Sequence, residues 1–480
     1  MEFVETGVPN LDLVLGGGLV AGSLIMVTGE PGCGKTILTQ QIAVHAARQG
    51  RQVLVLTTLS EPHTKLLTYL RTLAFFEEQL IGERIELLNI YRQLTEDFAN
   101  VSATIIRLVR EQRATLLIVD SFDSVRGLAP SEMAAKEVIY ELSAGLGLLG
   151  VTVIIVGATA GETAAALPEL TIADSIVALH QELHGARSVR TLEVAKMRGA
   201  AQLNGRHSYR IDSAGIQVFP RQETVALPPE ATLGEERVAF GLAELDRMMG
   251  GGPTQGSNTV VIGNPGTGKT LLALQFVLQG HRRQERGLFV SFHETEQQLI
   301  AKAVALGLEA PAALTDGVDF LHYVPSELDP DVVATAIRRT VAERQVKRLV
   351  VDGLDELLGG LLGQRQSGFI SALMAYARNA GLTLCVTQEI GTSLERETQQ
   401  HTTSYSAYSD NIVLLRHLEY RAELHRVLSV IKMRDSDHDR TIREFRIGPG
   451  GLRVLTVDET GGEVLEALGR VNPSSRQPLR

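Results

Sequence analysis

The chain has 480 residues with 46 Lys and Arg against 56 Asp and Glu, a formal charge of −10; roughly 100–200 residues per domain predicts two or three domains, and the acidic balance argues against nonspecific attraction to nucleic acid. Two cysteines, Cys33 and Cys385, are too few and too distant for a zinc module or a disulfide framework, which points to a reducing compartment. The N-terminus lacks a basic n-region and an apolar h-region, and no apolar run approaches the roughly 20 residues that span a bilayer, so a cytoplasmic protein without membrane contact is expected.

The first predicted unit opens with TGVPNLDLVLGGGLVAGSLIMVTGEPGCGKT from Thr6. Apolar runs of strand length, LIMVT, QVLVLTT, TLLIVD and VTVIIVG, alternate with helical stretches such as TILTQQIAVHAARQG and FANVSATIIRLVREQ. Continuous β-branched runs between helices predict a mostly parallel sheet sandwiched by helices, an α/β domain of three layers. GEPGCGKT, Gly29 to Thr36, sits between a predicted strand and a predicted helix and fits G-x-x-x-x-G-K-[ST]. Gly29, Gly32 and Gly34 let backbone N–H groups close on phosphates, Lys35 neutralises the β/γ oxygens, and Thr36 reaches Mg²⁺. Asp120, ending the run TLLIVD, then reads as the Walker B carboxylate that holds the metal through water.

Much of this returns further along the chain. FGLAELDRMMGGGPTQGSNTVVIGNPGTGKT from Phe240 matches the opening segment at 15 of 31 positions, with a spacing of 234 residues. That spacing is far above a solenoid period, so the repeat unit is a whole domain and the chain is a tandem duplication. The second loop, Gly263 to Thr270, supplies Gly263, Gly266, Gly268, Lys269 and Thr270, and RLVVD supplies Asp352. The expected boundaries are residues 1–224 for the first domain, 225–236 for a proline-bearing linker, 237–456 for the second domain and 457–480 for a tail.

Hydrolysis needs a group that orients the attacking water, and in such sheets it belongs after the strand that follows the P-loop helix. The second copy offers Glu294 in GLFVSFHETEQQ, where the alternative is a carboxylate that merely caps a helix. The first copy has Ser60 at that position, with Glu61 one residue on, so unequal catalysts are expected. Both copies also carry K-x-R late in the domain, Lys196 and Arg198, then Lys432 and Arg434. Two cations at i and i+2 on a strand point the same way, which suits a polyphosphate clamp acting across a subunit interface or, more plainly, a solvated strand edge. The stretch HTTSYSAYSD, His401 to Asp410, stands where the first copy reads AALPELTIAD, so its hydroxyls are an addition to the second copy.

These residues resemble a known family, the tandem RecA-like ATPases of the KaiC type, from GVPNLDLVLGGGLVAGS to LSVIKMRDSDHDRTIREFRIGPGGL. The resemblance implies ATP and Mg²⁺ as cofactors, a homo-hexamer of two stacked rings, regulatory protein partners, K-x-R residues reaching across the interface, and serine/threonine autokinase activity in the second domain. Departures accompany it: the family's paired glutamates are replaced by Leu59-Ser60 and His293-Glu294, and its Ser-Thr acceptor pair aligns with Ser406 and Ala407. Ser406 is thereby the candidate phosphoacceptor, and a two-site phosphorylation cycle is not expected. Two other function classes share the fold. A RecA or RadA-like DNA motor is opposed by the acidic charge and by the lack of a basic-aromatic stretch between Asp352 and Gly381. A nucleotide-gated scaffold with little hydrolysis suits the first copy.

Overall fold

Strands that bury both faces read as unbroken apolar runs, and the central strands of this protein do so in both copies. A computed structural model describes residues 2–58, 63–157, 168–184, 186–231, 235–308, 316–361, 364–390, 408–420, 423–434, 436–456 and 459. The chain divides into two compact units, Met1–Val225 and Ala226–Arg480.

In the first unit a short antiparallel pair, β1 (Phe3–Val4) and β2 (Leu19–Val20), precedes the main sheet. That sheet comprises β3 (Leu24–Gly29), β4 (Val53–Thr57), β5 (Ile85–Asn89), β6 (Leu116–Asp120), β7 (Thr152–Gly157), β8 (Ser175–His184), β9 (Arg187–Met197), β10 (Arg206–Asp212) and β11 (Gly215–Phe219). The order is β11-β10-β9-β8-β3-β7-β6-β4-β5, parallel from β8 to β5 and antiparallel from β8 out to β11.

The second unit repeats the plan with β12 (Asn258–Gly263), β13 (Gly287–Ser291), β14 (Val318–His322), β15 (Arg348–Asp352), β16 (Thr383–Glu389), β17 (Asn411–Tyr420), β18 (Glu423–Met433), β19 (Arg443–Gly448) and β20 (Gly451–Val454). Its order is β14-β13-β15-β16-β12-β17-β18-β19-β20. Each unit is a RecA-like α/β domain, as the alternation of runs predicts.

Successive residues of each central strand enter different cores. In the first unit Ile25, Val27, Val53 and Val55 pack with the helix Lys35–Arg48, while Leu24, Met26, Leu54 and Leu56 pack with the helices Val101–Glu111 and Glu132–Gly147. The second unit does the same, with Val261, Phe289 and Cys385 on one side and Val260, Leu288 and Leu384 on the other. Fully burying one Val, Leu or Ile is worth about 1.5–3 kcal/mol, and β4 alone buries four such residues. Both cysteines are buried core residues with free thiols.

One carboxylate per copy, buried at Asp410 and part-exposed at Asp174, ties the start of the P-loop strand to its neighbour. Asp174 accepts from Leu24 N at 3.1 Å, and Asp410 accepts from Asn258 N at 2.9 Å. Asp410 also receives both Arg378 NH2 contacts at 2.7 Å and lies 3.3 Å from Arg434 NH1. The linker docks on the second unit, where Asn379 Nδ2 donates to Pro228 O and Ala231 N donates to Asn379 O.

Candidate functional site

The P-loops occupy the carboxyl ends of β3 and β12, each leading directly into a helix, Lys35–Arg48 or Lys269–His281. Gly34 and Gly268 precede the helices at φ 101° and 102°, a left-handed conformation that favours glycine. A Cβ at either would also meet an isoleucine methyl, that of Ile211 at 2.6 Å or of Ile447 at 2.7 Å, so the antiparallel half of the sheet presses the loop into shape. Gly29, Gly32, Gly263 and Gly266 complete the two loops.

Lys35 Nζ donates to Gly29 O at 2.6 Å and Glu30 O at 2.9 Å, and Lys269 Nζ donates to Gly263 O at 2.8 Å and Asn264 O at 3.0 Å. Each ammonium is thus folded over the carbonyls of its own loop. Thr36 Oγ1 donates to Asp120 Oδ2 at 2.8 Å, across the intervening strand β7. In the second copy the Thr270 hydroxyl lies near enough to Asp352 to favour its ionised carboxylate.

The two sites differ around these shared parts. Asp352 lies opposite Thr387 in the β15/β16 register, whereas Asp120 lies opposite Val156. Thr387 Oγ1 donates to Asp352 Oδ1 at 2.6 Å and accepts from Gly353 N at 2.9 Å. Lys269 also lies 3.6 Å from Glu389 Oε2 at the end of β16. These partners escaped the sequence reading; the strand-end run TQE, set against the VGA of the first copy, is the signal that could have found them.

A cleft of about 400 Å³ in the second unit brings Lys269, Thr270, Asp352, Glu294, Thr387 and Glu389 together with His293, Glu356, Lys302 and Arg426. Glu294 lies just before the helix Glu296–Ala305, whose N-cap is Thr295 in a capping box with Gln298. Helix capping therefore does not account for Glu294. Lys302 donates to its Oε1 at 2.5 Å, while its Oε2 is buried without a hydrogen-bond partner among the described residues. The equivalent segment of the first copy, including Ser60 and Glu61, lies outside the described residues, as do Ser406 and Ala407.

The K-x-R cations lie at the end of the sheet opposite their own P-loops, since Met197 pairs with Ser175 and Ser175 with Ile25. Only the lysines are on strands, because β9 and β18 end at Met197 and Met433, so the expected i, i+2 strand geometry does not hold for Arg198 and Arg434. A register shift precedes both lysines, between Ile176 and Val177 and between Ile412 and Val413. Lys196 Nζ donates to Leu170 O and Thr171 O, and Lys432 Nζ to Ser409 O. Arg198 and Arg434 pair with Asp174 and Asp410.

The donor set suits a magnesium nucleotide. Among the described residues no group of three or more His, Cys, Asp or Glu side chains could hold a metal ion by itself. A hydroxyl beside one carboxylate at the phosphate loop is instead the arrangement of a cation that keeps phosphate and water ligands.

The model of one protein family, described as ATPase: KaiC, matches residues 4–223 and again 238–459. The chain belongs to this KaiC ATPase family. It is 28% identical over 469 residues to the circadian clock oscillator protein KaiC of Picosynechococcus sp., covering 95% of this chain and 90% of that protein. Against the circadian clock protein KaiC3 of Synechocystis sp. it is 28% identical, covering 95% and 92%, and against KaiC2 of the same organism 27%, covering 97% and 84%. Among the described residues no helix is long and apolar enough to cross a membrane.

Burial holds the Asp352 carboxyl above its ordinary range, opposed by the hydroxyls of Thr387 and Thr270. A raised folded-state value means that the folded chain binds the extra proton, so stability falls as pH climbs from about 3.9 through that value. The penalty is complete only once the pH exceeds that folded-state value. Asp352→Asn removes it, and the nucleotide-free variant should melt above the wild type at pH 8, by about 2–4 °C per kcal/mol relieved. The difference should shrink toward pH 4; an equal or lower melting temperature at pH 8 would contradict the assignment.

Proposed function

We propose that the protein is a KaiC-like hexameric ATPase in which Mg·ATP is hydrolysed at the second P-loop, within a signalling or clock-like system such as the names of its relatives suggest. Gly263, Gly266, Gly268 and Lys269 hold the phosphates, and Thr270 and Asp352 are the residues that would hold Mg²⁺. When bound, that cation neutralises charge on the transferred phosphoryl group. Glu294 orients the attacking water through Oε2.

The observation that carries this reading is that Glu294 lines one cleft with Lys269, Thr270 and Asp352, and that its buried Oε2 makes no hydrogen bond among the described residues. A buried acceptor left unmade costs about 1–3 kcal/mol, which is reasonable where a substrate group supplies the missing hydrogen bond. Glu294→Gln should lower ATP turnover by about 100-fold or more, measured as phosphate release. Unchanged hydrolysis would transfer the chemistry to the first copy or to another residue.

The first copy is read as a nucleotide-binding site with little turnover, built on Gly29, Gly32, Gly34, Lys35, Thr36 and Asp120. Val156 in place of Thr387 and Ser60 in place of Glu294 favour that assignment.

Lys196, Arg198, Lys432 and Arg434 are read as cations that serve a neighbouring subunit's nucleotide, a role favoured by their distance from their own P-loops. Size-exclusion chromatography should give a hexamer with Mg·ATP; a monomer with and without nucleotide would remove this role.

Serine autokinase activity in the second domain is the finer proposal, with Ser406 as acceptor. Lys432 holds the Ser409 carbonyl and Arg434 holds Asp410, so the same cations anchor the residues that follow the acceptor stretch. Mass spectrometry after incubation with Mg·ATP should find phosphate within residues 402–409; its absence would leave a plain ATPase.

A further inference from the structure

His293 lies on the wall of the cleft beside Glu294 and has no role in the reading above. Its side chain is 62% exposed, and its Nε2 lies 2.6 Å from Glu356 Oε1. Glu356 belongs to the helix Leu354–Gly359, which begins just after Asp352, and its own side chain is 23% exposed. An ionised carboxylate can only accept, so Nε2 is assigned the hydrogen and Nδ1 keeps its lone pair. An imidazole whose far nitrogen is fixed by a carboxylate is the arrangement of an oriented general base.

Glu294 is differently placed. Lys302 donates to its Oε1, so one oxygen is committed to an ammonium, while Oε2 makes no hydrogen bond among the described residues. The cleft thus holds one carboxylate suited to orient a nucleophile and one imidazole suited to take a proton from it.

The duplication supplies an internal comparison. At the offset of 234 residues, His293 corresponds to Leu59, and at the offset of 232 that relates Asp352 to Asp120, Glu356 corresponds to Ser124. Imidazole and carboxylate are therefore present together in the second copy and absent together from the first. Fold stability is a weak reason for the pair, because an exposed ion pair contributes roughly 0–1 kcal/mol.

We propose that His293, oriented by Glu356, is a catalytic residue of the second copy that accepts the proton of the nucleophile while Glu294 orients it. The proposal rests on the reading that this copy hydrolyses ATP. As the water oxygen bonds to the γ-phosphorus, the bond from that phosphorus to the bridging oxygen breaks and its electron pair leaves with ADP. The water proton passes to His293 Nδ1, and Nε2–H stays on Glu356. Glu356 is the positioning residue. The other charged groups of the cleft are Glu294 with Lys302, Asp352, Lys269, Glu389 and Arg426. An imidazole protonated on both nitrogens cannot accept, so turnover falls on the acid side.

The test is steady-state ATP hydrolysis by the full chain across roughly pH 5 to 8, where imidazoles change charge, in wild type, H293Q, E356Q and E294Q, with Mg·ADP affinity measured alongside. H293Q should lower kcat by about 100-fold, leave Mg·ADP affinity unchanged and abolish the acid limb of the wild-type profile. E356Q should cause a smaller fall in kcat with Mg·ADP affinity unchanged, as expected of a positioning residue. Turnover lost in E294Q but unaltered in rate and pH profile in H293Q would overturn the role of His293 alone. Unchanged turnover in E294Q would overturn the parent reading and this one with it.

Discussion

The approach of the P-loop threonine to the strand-end aspartate, a 2.8 Å hydrogen bond in the first copy, is the contact on which the rest of each domain depends. It joins the carboxyl ends of two strands that are not adjacent: β7 lies between β3 and β6, and β16 between β12 and β15. The chain must leave the P-loop strand, build the outer strands and return to fill the gap before Thr36 can meet Asp120 or Thr270 can meet Asp352. That crossover order creates the crevice at the carboxyl ends of the strands where open α/β sheets bind ligands. The crevice and the contact are two views of one topological fact.

Keeping that contact charged and buried is costly, and the two copies have handled the cost differently. In the second copy burial raises the Asp352 carboxyl and lowers the Lys269 ammonium, with Glu389 and Asp352 partly restoring the latter. Charges held in this way are unfavourable until opposite charge arrives, a folded-state cost that a polyphosphate and its cation would offset. The first copy keeps the P-loop and Asp120 but has Val156 opposite the aspartate, Ser124 in place of Glu356 and Ser60 in place of Glu294. Duplication preserved the P-loop and the strand-end aspartate and left the residues around them free to diverge.

Legibility from sequence followed burial. Central strands such as LIMVT and RLVVD are covered on both faces, so their apolar runs are continuous and easily read. The strands β9, β10, β18 and β19 are covered unevenly and their burial alternates or lapses along the strand, so the antiparallel half of each sheet is less plainly written, apart from the runs that end at K-x-R. The P-loop residues were legible because their conformation demands glycine at set positions. Thr387, Glu389 and Glu356 were not, because a hydroxyl or carboxylate at a strand end or on a short helix takes on a role only when the neighbouring elements are placed beside it.

By itself the sequence determined the duplication, the phosphate loops, the strand-end aspartates and the parallel sheet, since each is written in local spacing or in apolar runs. Only the tertiary structure decided which groups share the cleft. The pairing of His293 with Glu356, of Lys302 with Glu294 and of Thr387 with Asp352 joins residues on separate strands, helices and loops. It also showed that the K-x-R cations anchor the start of the neighbouring strand at the end of the sheet away from their own P-loop. The physical reason is that chemistry at this site depends on distances across the sheet, and register and strand order set those distances.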